Sequence, residues 1–272
     1  MNITKLSKKL TKFAFDNYLI SAFIAIVLFV IFVTGIKILT TEENYIYAKV
    51  KVSQGLWWAN TNRPNLWLAN AINKGDKEGS LTGKPIAEIL EARVYPWFSS
   101  DQYDIFITAK LKVDKNKRTG KYSYKRSQIA VGSPIDFEFP LAQFSATVMA
   151  ISDKPFEDNY IEKIVTLRKD LATPSEATSI QVGDTLFDGE NTVFEIMDKS
   201  VVNSYSLYSS LGNNYPLESE RKVNIAITTK ILVKSQNGNL IFGEEQVVKP
   251  GATIRLSTPN FFFDGYQVER VK

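Results

Sequence analysis

The residues of this chain whose types and spacing could do chemistry are few. They are the tryptophans Trp57, Trp58, Trp67 and Trp97, and two Gly-Asp pairs, Gly75-Asp76 and Gly183-Asp184. An indole combines a large apolar face with one N–H donor, which suits a protein interface, a sugar ring or the headgroup zone of a membrane. All four indoles fall in the first half of the chain, so any recognition they perform is not shared with the second. A Gly-Asp pair has a different use. Glycine allows positive φ, and the aspartate that follows can accept hydrogen bonds from nearby backbone N–H groups, which together fix a sharp turn. Gly75, Asp76, Gly183 and Asp184 are therefore expected to be structural turns.

Composition removes most other chemistry. The 272 residues contain no histidine and no cysteine, which excludes disulfides, thiolate catalysis, His or Cys metal ligation and every His-based triad. A Ser/Lys dyad is the one hydrolase nucleophile arrangement left. The single Ser-x-x-Lys, Ser219-Glu220-Arg221-Lys222, sits in a charged stretch before a strand. The run Asp114 to Gly120 fails as a calcium loop, because Arg118 stands where a ligand is needed and glycine comes one position late. No Gly-rich phosphate loop is present. We expect no metal, no cofactor and no catalytic residue, although paired carboxylates for glycoside hydrolysis stay open because their spacing is spatial.

Asn17 to Ile36 reads NYLISAFIAIVLFVIFVTGI, without a charge. As a helix it spans roughly 30 Å, the thickness of a bilayer's hydrocarbon core. Lys5, Lys8, Lys9 and Lys12 precede it, which predicts a cytoplasmic N-terminus and an extracytoplasmic C-terminal region. The apolar stretch is too long for a signal peptide and no Ala-x-Ala follows it, so we expect an uncleaved signal anchor. Five lysines and one acidic residue lie in the first forty positions, out of 33 basic and 29 acidic residues in all, so the remainder is formally neutral. That gives no reason to expect nucleic acid as a partner.

Past Thr40 the pattern alternates. Ile105, Ile107, Ala109, Leu111 and Val113 share one face, with Asp104, Thr108, Lys110 and Lys112 on the other, which predicts a strand with one buried side. Asn237-Gly238 predicts a two-residue hairpin. Short blocks also recur in order. Glu42 to Ile46 matches Glu157 to Ile161, Ile72 to Asp76 matches Ile180 to Asp184, and Ile107 to Val113 matches Ile227 to Val233. We expect a mainly β protein: a basic tail over 1–16, a transmembrane helix over 17–39, and a tandem duplication of a β-barrel or β-sandwich unit at 42–153 and 157–272. Two domains in series and one pseudo-twofold barrel satisfy the pattern equally. The units contain no convincing amphipathic helix.

The two Gly-Asp turns resemble the Gly-Asp box of cradle-loop β-barrels. The whole plan, including Val131-Gly132-Ser133-Pro134-Ile135, resembles uncharacterised membrane-anchored bacterial proteins with a β-rich extracytoplasmic region. This resemblance implies location and fold and no chemistry. Type I signal peptidases share the anchor and a Gly-Asp turn, but their Ser-x-Met-Pro nucleophile motif is absent. The expected function is a binding or assembly module without catalysis, held by one span in lipid and facing another envelope protein or a glycan. A carboxylate-based enzyme on cell-wall glycans and a periplasmic adaptor of an export system are the alternatives. Residues kept in both units serve the scaffold, so function is sought where the units differ.

Overall fold

The structure is a computed structural model. It describes residues 18–40, 44–53, 63–80, 83–97, 102–210 and 213–272, with 34–40, 205–210 and 213–220 described by their backbone. Two compact units are distinguished, Met1–Glu43 and Asn44–Lys272. In the first, helix α1 runs from Tyr18 to Thr40. Its side chains are described as far as Val33, and Phe23, Phe29, Ile31 and Phe32 stand more than half exposed. Among the described residues no helix is long and apolar enough to cross a membrane.

The second unit is mainly β and falls into two halves that begin alike, each with a strand, a short helix and three strands. The first half contains β1 (Asn44–Ser53), helix α2 (Leu66–Ala71), β2 (Lys77–Gly79), β3 (Pro85–Pro96) and β4 (Tyr103–Lys115). It continues with β5 (Tyr122–Tyr124), β6 (Ser127–Ile129), β7 (Pro134–Glu138) and β8 (Gln143–Ser152). The second half runs through β9 (Tyr160–Ala172), helix α3 (Pro174–Ser179), β10 (Thr185–Phe187), β11 (Thr192–Ser210) and β12 (Asn213–Gln236). It ends with β13 (Asn239–Phe242), β14 (Gln246–Val247), β15 (Leu256–Ser257), β16 (Phe262–Phe263) and β17 (Gln267–Val271). The sheet orders correspond: β2-β3-β4-β1-β8 in one half and β10-β11-β12-β9-β17 in the other, with all pairs antiparallel.

No strand of one half pairs with a strand of the other among the described residues, and each half has its own apolar core. A single barrel shared by both halves is thus not what the chain forms. The short helices depart from expectation. Six residues are too few to show a helical period, and α3 is written instead in its start: Thr173 caps it by accepting from the Glu176 N–H at 3.2 Å, with Pro174 in the first turn.

The alternation in β4 does what it predicts: Ile105, Ile107, Ala109, Leu111 and Val113 are all buried. Asn237 and Gly238 both have positive φ and join Gln236 to Asn239 as a two-residue hairpin. Strand register corrects one of the matched blocks. Ala48 lies opposite Ala109, and its counterpart opposite Thr229 is Val165. The likeness of Glu42–Ile46 to Glu157–Ile161 is therefore two residues out of structural step, because hydrogen-bond register and not local identity fixes equivalence.

A bulge in β3 decides what this half shows to its neighbour. Register shifts between Ile89 and Glu91, so the buried set changes from Ala87 and Ile89 to Ala92, and Glu91, Arg93 and Tyr95 turn away from their own core. Tyr95 and Phe106 pack instead into the core of the second half, where Tyr95 meets Phe242 edge to face.

The turn between β10 and β11 approaches β3 closely. Gly189 has φ +105°, and a Cβ there would lie 2.8 Å from the backbone oxygen of Ala92. Gly189→Ala is expected to cost about 1–3 kcal/mol from strain alone, with the clash adding to it. Urea unfolding of the full chain followed by tryptophan fluorescence measures this, and Gly238→Ala, strained but uncrowded, separates the two contributions.

Candidate functional site

The seam between the halves gathers the charged residues that the bulge in β3 exposes. At its centre Asp188 is fully buried. Its Oδ2 accepts from the Arg93 guanidinium at 2.8 Å and from the Tyr95 hydroxyl at 2.9 Å. Its Oδ1 accepts from the backbone N–H groups of Glu190 and Asn191. The Asp188 carbonyl accepts from the Val94 N–H at 2.7 Å. One aspartate thus closes its own turn and clamps it to β3.

The network continues outward. The Arg93 guanidinium lies 4.5 Å from the centre of the Tyr160 ring, and the Tyr160 hydroxyl donates to Glu244. Glu244 also holds Lys234 at 2.7 Å. Asp158 pairs with Lys49 and stands 3.7 Å from Lys234. At the neighbouring edge Lys51 bridges Glu245 at 2.7 Å and Asp104 at 3.2 Å. Burial raises the Tyr95 hydroxyl far above its ordinary range, with Asp188 adding to the effect, and burial with Glu244 does the same for Tyr160. Both phenols are therefore donors, unsuited to act as bases. Burial alone would lower Arg93, but Tyr160 and Asp188 more than offset it and the guanidinium stays charged.

A cavity of about 110 Å³ opens beside this network, lined by Val50, Phe106 and Met149 together with Arg93, Lys234 and Glu244. Ordinary ligand clefts hold roughly 300–1,000 Å³. Three cations, Lys49, Arg93 and Lys234, are matched by Asp158, Asp188 and Glu244. Glu91 also lines the cavity and approaches Arg93 only to 3.9 Å. The arrangement has the chemistry of a latch: paired, largely buried charges with their hydrogen bonds made, and no group placed as a nucleophile. No cluster able to hold a metal ion occurs among the described residues.

The turn residues behave alike in backbone and differently in side chain. Gly75 and Gly183, at φ +88° and +92°, each donate to an isoleucine carbonyl, Ile89 and Ile196, at 2.8 Å. Asp76 then accepts from the Asn73 N–H at 3.0 Å, whereas Asp184 accepts from the Asn260 side chain at 2.7 Å and leaves its Oδ2 without a partner. The tryptophans are dispersed. Trp67 on α2 is 61% exposed. Trp97 lies in the seam with Arg63 3.5 Å and Arg255 5.5 Å from its ring centre, so one of its neighbours belongs to the other half. Trp57 and Trp58 lie outside the described residues.

Arg93, Asp188 and Glu244 were not singled out by sequence reasoning. The one available signal was the break in alternation at Ile89-Leu90-Glu91, which marks where the strand turns its polar residues to a new neighbour. The other feature missed is the hairpin of β11 and β12, of 19 and 24 residues against 12 and 13 for β3 and β4. Beyond Val223, where β9 stops at Ala172, its ladder continues as two strands through Ser204–Lys222 and Tyr205–Arg221 to Ser210–Asn213.

No family model, no curated protein and no solved structure matches this chain.

Asp188→Asn keeps the acceptor for the turn's N–H groups but faces Arg93 with an amide, and is expected to cost about 3–5 kcal/mol in urea unfolding. Alkali tests the seam through Tyr95 and Tyr160 and the two halves themselves through Tyr124, bonded to Glu78, and Tyr266, bonded to Glu176. Tyr95, Tyr124, Tyr160 and Tyr266 all hold their protons above the ordinary value of 10.0. Their contribution is fully present below that pH and is lost as pH rises above it, because the unfolded chain releases those protons first. Ultraviolet titration should show these phenols ionising only together with loss of the β circular dichroism signal.

Proposed function

We propose that this protein is a single-pass, membrane-anchored, extracytoplasmic binding or assembly module built by tandem duplication and acting without catalysis. The anchor rests on the sequence alone, on the uncharged stretch Asn17 to Ile36 and the four lysines that precede it. Duplication is supported by the shared strand order, by the equivalent placing of α2 and α3, and by turns that repeat bond for bond. Gly132 and Gly251, for instance, each donate to a valine carbonyl, Val148 and Val268, at 2.8 Å. The resemblance to membrane-anchored bacterial proteins with Gly-Asp turns agrees with this plan.

The observation that carries the binding reading is the unequal hairpin. Two halves that agree in order, register and turns differ most in an extension that no core requires. An isolated two-stranded ribbon is marginally stable in water, so its retention points to a surface that is covered in use. The partner is another envelope protein or a glycan rather than nucleic acid, since the region past residue 40 is formally neutral. Cleavage of a glycan fits less well: Glu91 and Glu244 share the cavity, but Glu244 is held by Tyr160 and Lys234, and the space is too small for two sugar rings.

Replacing Ser204–Lys222 by Asn-Gly joins Asn203 to Val223, which are paired in register. The shortened chain is expected to unfold at the same temperature as the original and to lose its cross-linked neighbours in intact cells. Capture of the same neighbours in the same amounts would overturn the binding role of the hairpin.

A further inference from the structure

Resting on that reading, the geometry points to the partner of the hairpin: we infer that it is a second copy of this chain, joined by antiparallel pairing of the outer edge of β11 with the same edge of its twin. On that side β11 has a strand neighbour only as far as Glu195, opposite Thr185 of β10. Ile196 is still held by the Gly183-Asp184 turn through its N–H and its carbonyl, and from Met197 to Ser210 the outer side of β11 meets no strand among the described residues. Met197, Val201 and Val202 are 49%, 42% and 61% exposed there. Successive strand residues point to opposite faces, so exposure of both Val201 and Val202 means that neither face of the ribbon is covered at this level. An open apolar edge of this kind is a template for another strand.

Three observations favour a copy of the same chain as the occupant. Edge strands ordinarily avoid self-pairing by carrying charge, yet Val201 to Leu217 contains no charged residue in a chain that is 23% charged. The nearest cation is withdrawn as well: Lys199 donates its ammonium to the carbonyls of Ala177 and Ile180 at 2.8 and 2.6 Å. The nearest anion, Asp198, escapes its own image. In an antiparallel twofold pairing centred anywhere from Ser200 to Ser204, Asp198 falls opposite a residue between Val202 and Ser210, all of them uncharged. Lipid is disfavoured, because Asn203, Ser204, Ser206, Ser209, Ser210, Asn213 and Asn214 would carry their polar groups into the membrane. Two ribbons side by side make a four-stranded sheet, which passes the size at which a sheet holds together by itself.

The absence of native cysteine makes the test clean. Full-length chains carrying one cysteine each, Ser200→Cys, Val202→Cys or Ser204→Cys, are treated with a mild oxidant in native membranes, with Val182→Cys as an exposed control. Cα atoms facing each other across an antiparallel pair lie within disulfide reach. The expected result is a disulfide-linked dimer at one of the three positions, falling off at the others and absent from the control. A second variant, Val202→Lys, should shift the full chain in detergent from dimer to monomer by sedimentation, with its thermal unfolding unchanged. A wild-type chain that sediments as a monomer, with no dimer above the control, would overturn the inference. In that event a photo-crosslinker at 202 separates the remaining outcomes. Capture of a different protein ends self-pairing while the binding reading stands; capture of nothing ends both.

Discussion

Asp188 and Arg93 form the contact on which the rest of the β region depends. A carboxylate wholly removed from water is tolerated only when each oxygen is bonded and its charge is met, and Asp188 satisfies both demands by drawing on two sources. Its own turn supplies two N–H groups, and β3 of the other half supplies a guanidinium and a phenol. Neither half can complete the site alone. The halves are thereby coupled through charge and geometry rather than through a continuous sheet.

That coupling explains why charges crowd the seam. The outer face of β1 and β3 carries Lys49, Lys51, Glu91 and Arg93, and burying it against another domain leaves each of them to be partnered or expelled. Asp158, Glu245 and Asp188 from the second half partner Lys49, Lys51 and Arg93. Paired buried charges give specificity of fit at little net gain in stability, which suits a joint that must hold one orientation. The aromatic contacts beside it, Tyr95 with Phe106 and Phe242, supply the apolar area that charge pairing does not.

With the scaffold assigned this way, the departures between the halves become informative. Trp97 is absorbed into the seam by Arg63 and Arg255, so an indole that looked available for recognition serves in part to join the halves. Trp67 stays exposed. The β11–β12 ribbon, by contrast, runs on as two paired strands beyond the end of β9.

Much of the fold was legible in the residues. Period-two burial in β4, the Asn237-Gly238 hairpin and the backbone of both Gly-Asp turns follow from local rules that act over a few residues, whereas the Asp184 carboxylate is met by Asn260 from a distant segment. The recurrence of blocks gave the order of elements, though strand register moved one match by two positions. The seam was not legible, because Arg93 and Asp188 are 95 residues apart and each reads as an ordinary exposed charge until a bulge at Leu90 turns one strand face toward the other half. The length of the ribbon was hidden for a related reason: strand propensity says that a segment is extended, and only the end of its neighbour β9 says that it stands alone. The sequence by itself determined the periodicities, the turns and the chemistries that a chain without histidine or cysteine cannot perform. Tertiary structure decided which charges are buried together and which strand edges stay open, since both depend on distances between segments that no local pattern encodes.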